Sequence, residues 1–384
     1  MRVRDGDPLV PRMREFGTTI FAEMSALAVA TGSINLGQGF PDTDGPARLL
    51  EDAAAAIMSG HNQYPPGPGI PELRQAIADH QQRRYSLAYE PNSEVLVTAG
   101  ATEAIAAALL ALTRAGDEVV LFEPYYDSYA AGVALAGATR RAVTLHREGQ
   151  QWSFDPAELE SSITNRTRAI VLNTPHNPTG KVFTADELGV IANTAQEHDL
   201  VVIADEVYEH LIFDGGTHTS IATLPGMRER TVQISSAGKT FSVTGWKIGW
   251  VCAPPPLLAA IRTVKQFLTY VNGSPFQPAI ASALARDADL DATKVSLQQQ
   301  RDLLCDGLAE RGFDVVRPQA TYFATVDVGR DAVDFCRELP KTAGVVAIPS
   351  SVFYDSDAGD GYVRFAFCKR PEVITEALRR LERA

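Results

Sequence analysis

Four polar clusters stand where short apolar runs end. Gly100-Ala101-Thr102 follows the run 94–99 and opens a helical stretch. Asn177 lies in Asn173-Thr174-Pro175-His176-Asn177-Pro178-Thr179-Gly180, just past a second run. Asp205 and Tyr208 lie in Ala204-Asp205-Glu206-Val207-Tyr208, and Ser236 and Lys239 in Ser235-Ser236-Ala237-Gly238-Lys239, each after a further run. In open α/β sheets, ligands bind outside the carboxyl ends of the strands. An amine, a carboxylate, a phenol, an amide and hydroxyls gathered there have the makings of a small-molecule site. Taken singly, each has a plainer meaning: Asp after a strand caps a helix, Asn-Pro-x-Gly makes a turn, and a lysine is a solvated charge. Only the set, in this order, carries information.

The elements that must position these clusters follow from periodicity. Apolar runs at 95–98, 118–122, 169–173, 200–204 and 232–235 alternate with helical stretches at 102–113, 128–136 and 185–198. Near-continuous apolar strands with helical crossovers predict a parallel or mixed sheet covered on both faces. Ahead of it come an arm with a short helix, a Gly/Pro-punctuated loop around Ile34-Asn35-Leu36-Gly37, and helices at 47–59 and 71–85. Helices at 256–270 and 279–310 follow the sheet, and the tail reads as strand, helix, strand, strand and terminal helix. The expected division is an arm with part of the small domain over 1–45, a large domain over 46–277 and a small α+β domain over 278–384.

Composition narrows the function. The 384 residues are 45% hydrophobic and 21% charged, a globular balance that excludes a disordered or fibrous chain. A net charge of −12 argues against coating nucleic acid or an anionic membrane. The longest apolar run, Ala104 to Leu112, is about half of what spanning a bilayer requires. Met1 to Asp7 carries no apolar signal region, and the four cysteines form no C-x-x-C pair, so the expectation is a cytoplasmic protein with reduced thiols. His176 and the other histidines show no metal spacing, and no metal is expected.

The set resembles the fold-type I pyridoxal-phosphate aminotransferases. The most specific stretch is Ser235-Ser236-Ala237-Gly238-Lys239-Thr240-Phe241-Ser242-Val243-Thr244-Gly245-Trp246-Lys247-Ile248-Gly249-Trp250, and the likeness runs from Asn35-Leu36-Gly37 to Val363-Arg364-Phe365. Within the family the chain is similar to the branch with kynurenine/glutamine-type and methionine-type enzymes. It is also similar to actinobacterial N-succinyldiaminopimelate aminotransferases, through Asn62-Gln63-Tyr64-Pro65-Pro66-Gly67-Pro68-Gly69.

The resemblance implies a role for each match. The cofactor, pyridoxal 5′-phosphate, is held by a lysine. Of the seven lysines, Lys181, Lys265, Lys294, Lys341 and Lys369 read as surface, Lys247 has another task, and Lys239 is left as the catalytic group. Asp205 keeps the ring nitrogen protonated. Tyr208 and Asn177 hydrogen-bond the ring's phenolic oxygen, and Tyr126 stacks on its face. Ala101 and Thr102 offer helix N-terminal amides to the phosphate. Ser236 and Lys247 add a hydroxyl and a charge, where relatives often carry arginine at the latter position. Arg364 grips the substrate α-carboxylate as a fork, and Gly37 offers it a backbone N–H. Tyr64 reaches the phosphate of the neighbouring subunit, which makes a homodimer with shared sites. The Asn177-Pro178 peptide is expected to be cis, since the loop must turn sharply while aiming Asn177 at the ring.

A nicotinamide dehydrogenase fails for want of G-x-G-x-x-G, and a P-loop enzyme for want of G-K-[ST]. The effector domain of a transcription regulator stays a weaker alternative, and a carbon–sulfur β-lyase shares fold, cofactor and most site residues. The implied reaction is ping-pong transamination between an L-amino acid and a 2-oxo acid, with Lys239 as general base at Cα. Phe16 to Phe21, Tyr64, Tyr126 and the stretch 270–277 are expected to line the side-chain pocket, and none of them supplies an arginine. Long or bulky donors (methionine, glutamine, aromatic residues, kynurenine, N-succinyl-diaminopimelate) are therefore expected over aspartate.

Overall fold

A computed structural model describes residues 8–17 and 19–382, so the reading of Met1 to Asp7 lies outside the described residues. Seven strands build the main sheet: β1 (Val95–Ala99), β2 (Glu118–Glu123), β3 (Thr139–Thr144), β4 (Thr167–Asn173), β5 (Val201–Asp205), β6 (Thr231–Ser236) and β7 (Ile248–Cys252). Their order is β1-β7-β6-β5-β4-β2-β3, and β7 alone runs antiparallel to both its neighbours. The sheet is mixed, one of the two forms that the apolar runs allow. Strands β3 and β7 were not visible as runs of their own: β3 is an edge strand with exposed positions, and β7 lies inside the Lys239 motif.

Alternation along each strand sends neighbouring side chains to opposite faces. Val119 and Leu121 of β2, with Ala169 and Val171 of β4, pack under the helices Gly100–Leu112, Asp127–Ala136 and Pro255–Lys265. Val120, Phe122, Ile170 and Leu172 face the other way, against Leu188, Ile191 and Ala195 of the helix Ala185–Glu197. With both faces covered, every strand residue of β2, β6 and β7 is buried.

A smaller antiparallel sheet pairs Asp314–Val316, Phe323–Asp327, Tyr362–Ala366 and Ile348–Pro349 in that order. Its core also takes Met24 and Ala28 of the first helix, Ile20–Thr31, which ties the N-terminal segment to the C-terminal one. Ile34–Asn35, expected as loop, pairs in parallel with Val345–Val346.

Two helices differ from expectation. The stretch 279–310 is not one helix but Phe276–Leu284 and Asp287–Glu310, broken at Arg286, whose backbone is extended and whose guanidinium reaches Asp52 at 3.3 Å. Leu290 of the second helix still packs with the core that the first helix joins, while Leu297, Leu304 and Leu308 reach the core of the small sheet. The helix starting at Pro255 stops at Lys265, whose buried ammonium donates to the carbonyls of Tyr270 (2.6 Å) and Gly67 (3.0 Å).

Lysine exposure needs a further correction. Lys181, Lys265 and Lys369 are buried rather than superficial. Each ammonium has found oxygen: Lys181 meets Trp152 O and Glu187, and Lys369 meets Phe40 O at 2.8 Å while lying over the Phe40 ring. A buried lysine is tolerated where its donors are satisfied.

Candidate active site

A cavity of about 370 Å³ opens at the carboxyl ends of β1, β4, β5 and β6 and is closed from above by the small sheet. Ala101, Thr102, Tyr126, Asn177 and Asp205 line it, with Tyr208, Ser236, Lys239, Lys247 and Arg364. The clusters that the chain keeps far apart therefore share one chamber.

One end of the chamber suits an anion. The helix Gly100–Leu112 starts there with no side chain capping its first turn, so its free amides and dipole face the cavity. The Lys247 ammonium stands 3.6 Å from where a Cβ on Gly100 would be. Gly249 of β7 lets the strand press against this turn: a Cβ there would fall 2.6 Å from Gly100 C and 2.8 Å from Ala101 N. The cradle is thus shaped by a glycine of the Lys239 motif whose need for a bare backbone appears only in the packing. Ser236 ends β6 and its hydroxyl accepts from Gly238 N at 3.3 Å, turning the chain into Ala237–Thr240.

Lys239 sits on that turn, partly buried. Burial pushes its pKa down to about 8, which leaves a usable fraction of free amine near neutrality. Its Nζ donates to Tyr322 Oη at 2.6 Å, and Tyr322 Oη donates onward to Gly39 O at 2.7 Å. Tyr322 comes from the small sheet, and sequence reading missed it.

Asp205 closes β5. Its Oδ2 accepts from Tyr129 Oη at 2.6 Å and its Oδ1 from Val207 N at 3.3 Å. Burial nevertheless raises its pKa to about 6, only partly offset by Tyr129, Val207 and the Lys239 charge. A carboxyl in that state gains from a cation placed beside it. Tyr129 was also missed, although its i+3 spacing from Tyr126 on the helix Asp127–Ala136 puts both on one face. The rings meet edge-on at 5.7 Å.

The Asn177-Pro178 peptide is cis, as expected. Asn177 is placed by Asn173, whose Oδ1 accepts from Asn177 N at 2.7 Å while its Nδ2 donates to Asp205 O at 2.9 Å. Asn177 Oδ1 accepts from Arg364 Nη1 at 3.2 Å, so its Nδ2 is the atom left to donate to a ring oxygen. Burial holds the Tyr208 phenol well above its ordinary pKa, hence protonated and a donor.

Arg364 lies on Tyr362–Ala366, 2% exposed, with its guanidinium 4.0 Å from the Phe323 ring and 5.0 Å from that of Phe353. Nη2 donates to Gly37 O at 3.0 Å, but Nε has no partner and, among the described residues, no carboxylate pairs with it. Burial lowers its pKa to about 10, so it stays charged at neutrality. A buried cation with a spare donor is a site for an incoming carboxylate.

Two expected residues sit elsewhere. Gly37 N–H donates to Asn35 Oδ1 at 2.9 Å, so Gly37 meets the site through its carbonyl on Arg364 and not through its amide. The cause is local: Asn35 caps the turn and also takes Gln38 N at 3.2 Å. Tyr64 is 81% exposed, edge-on to Tyr270 at 5.5 Å, and outside its own chain's cavity.

These features fit pyridoxal phosphate at both ends. A glycine-shaped helix terminus with a lysine would suit the phosphate, and a buried carboxyl short of a cation would suit the ring nitrogen. Affinity of the apoenzyme for the cofactor is therefore expected to fall as pH drops below about 6, by up to about tenfold per unit, because Asp205 then carries a proton. Fluorescence titration of the wild type and Asp205→Asn from pH 5 to 8 checks this. A slope that survives in the variant rules out Asp205 as the origin.

Comparison with known proteins gives the same reading. The model for "Aminotransferase class I and II" matches residues 31–381. The chain is 52% identical over 97% of both chains to a Mycobacterium tuberculosis protein named "Probable N-succinyldiaminopimelate aminotransferase DapC". It is 41% identical over 98% of both to the methionine aminotransferase of Escherichia coli. The solved N-succinyldiaminopimelate aminotransferase of M. tuberculosis superposes with a TM-score of 0.95, covering 97% of this chain and 99% of that one. With that match and that chamber together, the chain belongs to the class I and II aminotransferases and is a pyridoxal-phosphate-dependent transaminase.

Proposed function

We propose that the protein transfers the α-amino group of a long or bulky L-amino acid to a 2-oxo acid by ping-pong exchange, with Lys239 as the catalytic base. The observation that carries this reading is the buried, carboxylate-free Arg364 in the same chamber as Lys239. When bound, pyridoxal phosphate supplies the electron sink for the pair left at Cα. Arg364 orients the substrate α-carboxylate through its fork, with Gly37 O and Asn177 Oδ1 holding the guanidinium. Lys239 takes the proton from Cα and later returns it. Tyr322 aims the amine, and Asp205, held by Tyr129, keeps the ring nitrogen protonated. Ala101, Thr102, Ser236 and Lys247 would hold the phosphate, and Tyr126 would cover the ring.

Substrate length is supported by the surroundings. Phe21 borders both this chamber and a neighbouring one of about 570 Å³, lined by Glu15, Phe16 and Ile20 of the arm and by Tyr125 and Phe353. The expected pocket segments supply no arginine, but Arg140 borders the second chamber. Its guanidinium is already paired with Asp355 at 2.8 Å and Glu15 at 3.0 Å, so it is poorly placed to hold a short dicarboxylate. Relatives named for N-succinyldiaminopimelate, methionine and kynurenine point the same way. Methionine, phenylalanine or N-succinyl-LL-diaminopimelate is expected to exceed aspartate in kcat/KM by tenfold or more, about 1.4 kcal/mol. Half-reactions with single amino acids, followed by cofactor absorbance, test this. A tenfold preference for aspartate overturns it.

We also infer a cytoplasmic homodimer. Tyr64, Phe267 and Tyr270 form an exposed apolar patch, with Tyr64 and Phe267 above 80% exposed, and Tyr64 is available to a neighbour's phosphate. All four cysteines are free and buried, and among the described residues no helix is long and apolar enough to cross a membrane. Sedimentation at assay concentration should show a dimer that Tyr64→Ala weakens or leaves with lower cofactor affinity. A fully active monomer contradicts the shared site.

A further inference from the structure

Behind the cofactor chamber lies a buried cluster that transamination does not use. His80, on the buried face of the helix Pro71–Tyr85, is fully enclosed. Its Nε2 stands 3.0 Å from His210 Nε2, and Glu209 Oε2 stands 3.9 Å from the same His210 atom. The three donor atoms all lie within 4.8 Å of one another. A triangle of that size has a centre no more than about 2.4 Å from each corner, against ~2.0–2.2 Å for zinc with nitrogen and oxygen ligands.

The outer contacts are those of a held ligand set. Glu209 Oε1 accepts from Ser235 Oγ and Oε2 from Tyr85 Oη, both at 2.5 Å, which fixes the carboxylate plane. A chamber of about 210 Å³ is lined by Tyr85, Glu209, His210 and His218, with room for water. His218 has a side chain 2% exposed; its Nε2 is 3.0 Å from Glu206 Oε2, and its Nδ1 has no hydrogen-bond partner.

We propose that His80, Glu209 and His210 form a divalent-cation site of the zinc class, with water or an anion in the open position. Two imidazoles and one carboxylate are a donor set that suits zinc. Arg84 and Lys294 also line the chamber and favour an anion as the fourth ligand. The site sits on the backs of two segments that hold the cofactor. Glu209 directly follows Tyr208, and its partner Ser235 directly precedes Ser236. An ion there ties the helix Pro71–Tyr85 to both, so occupancy should raise thermal stability and slow cofactor release.

Calorimetric titration of the metal-stripped holoenzyme with zinc chloride, and cobalt absorption in parallel, tests the site. One equivalent per chain is expected at Kd below about 1 µM, with a higher Tm in zinc. His80→Gln and His210→Asn should each weaken binding at least 100-fold and abolish the Tm rise, while transamination without zinc stays near wild type. His198→Ala serves as the control, because Glu160, Glu197 and His198 form an exposed group of similar donors. Wild type that binds no zinc below about 100 µM overturns the proposal. So does binding that survives in both cluster variants or disappears in His198→Ala. The wild-type titration decides the matter even if a variant fails to fold.

Discussion

Lys239→Ala should lower transamination by at least about 10⁴-fold, the upper end of what one general acid–base group contributes. It should do so without emptying the site. The amine is partly buried, its pKa is depressed to about 8, and Tyr322 holds it at 2.6 Å. No other lysine can replace it: among those lining the chamber, Lys247 stands at the helix terminus beside Gly100. The groups proposed to hold the phosphate and ring nitrogen are separate from Lys239, so cofactor should still bind, now removable by dialysis. Absorbance of dialysed and undialysed variant, with single-turnover assays, measures both effects. Turnover at the wild-type rate would falsify the assignment.

Arg364→Lys should lower kcat/KM by about 10² to 10³, some 3–4 kcal/mol, although the charge is kept. A hydrogen bond to a charged group is worth about 1.5–3 kcal/mol, and a lysine loses the planar fork that makes two at once. Arg364→Leu should be worse for catalysis yet neutral or favourable for the apoenzyme's Tm. The guanidinium is buried between Phe323 and Phe353 with no paired carboxylate, so removing it relieves a desolvation cost. A marked drop in Tm with little change in kcat/KM would instead mean a structural arginine.

Gly249, Tyr129 and Tyr322 show where reading the chain stops. Gly249 stands within the motif, but its need for a bare backbone exists only because β7 lies against the turn at Gly100. Tyr129 looks like another apolar helix residue until β5 places Asp205 opposite its hydroxyl. Tyr322 is 83 residues from Lys239 and 283 from Gly39, the two groups it bridges.

The sequence by itself determined five of the seven strands of the sheet, because strand runs are local patterns of burial that a covered sheet imposes on each segment; β3 and β7 left no such run. It also determined the place of the site: parallel strands end on one edge, so polar residues after several runs must converge there. Lys239, Asp205, Asn177 and Ser236 could be gathered on that ground before any packing was known. Only the tertiary structure decided what surrounds them. It buried Lys181, Lys265 and Lys369 by offering carbonyls to their ammonium groups. It brought His80 within 3.0 Å of His210 across 130 residues of chain. Such contacts depend on how helices and sheets dock, and periods of two or 3.6 residues carry the face that docks but not the partner it meets.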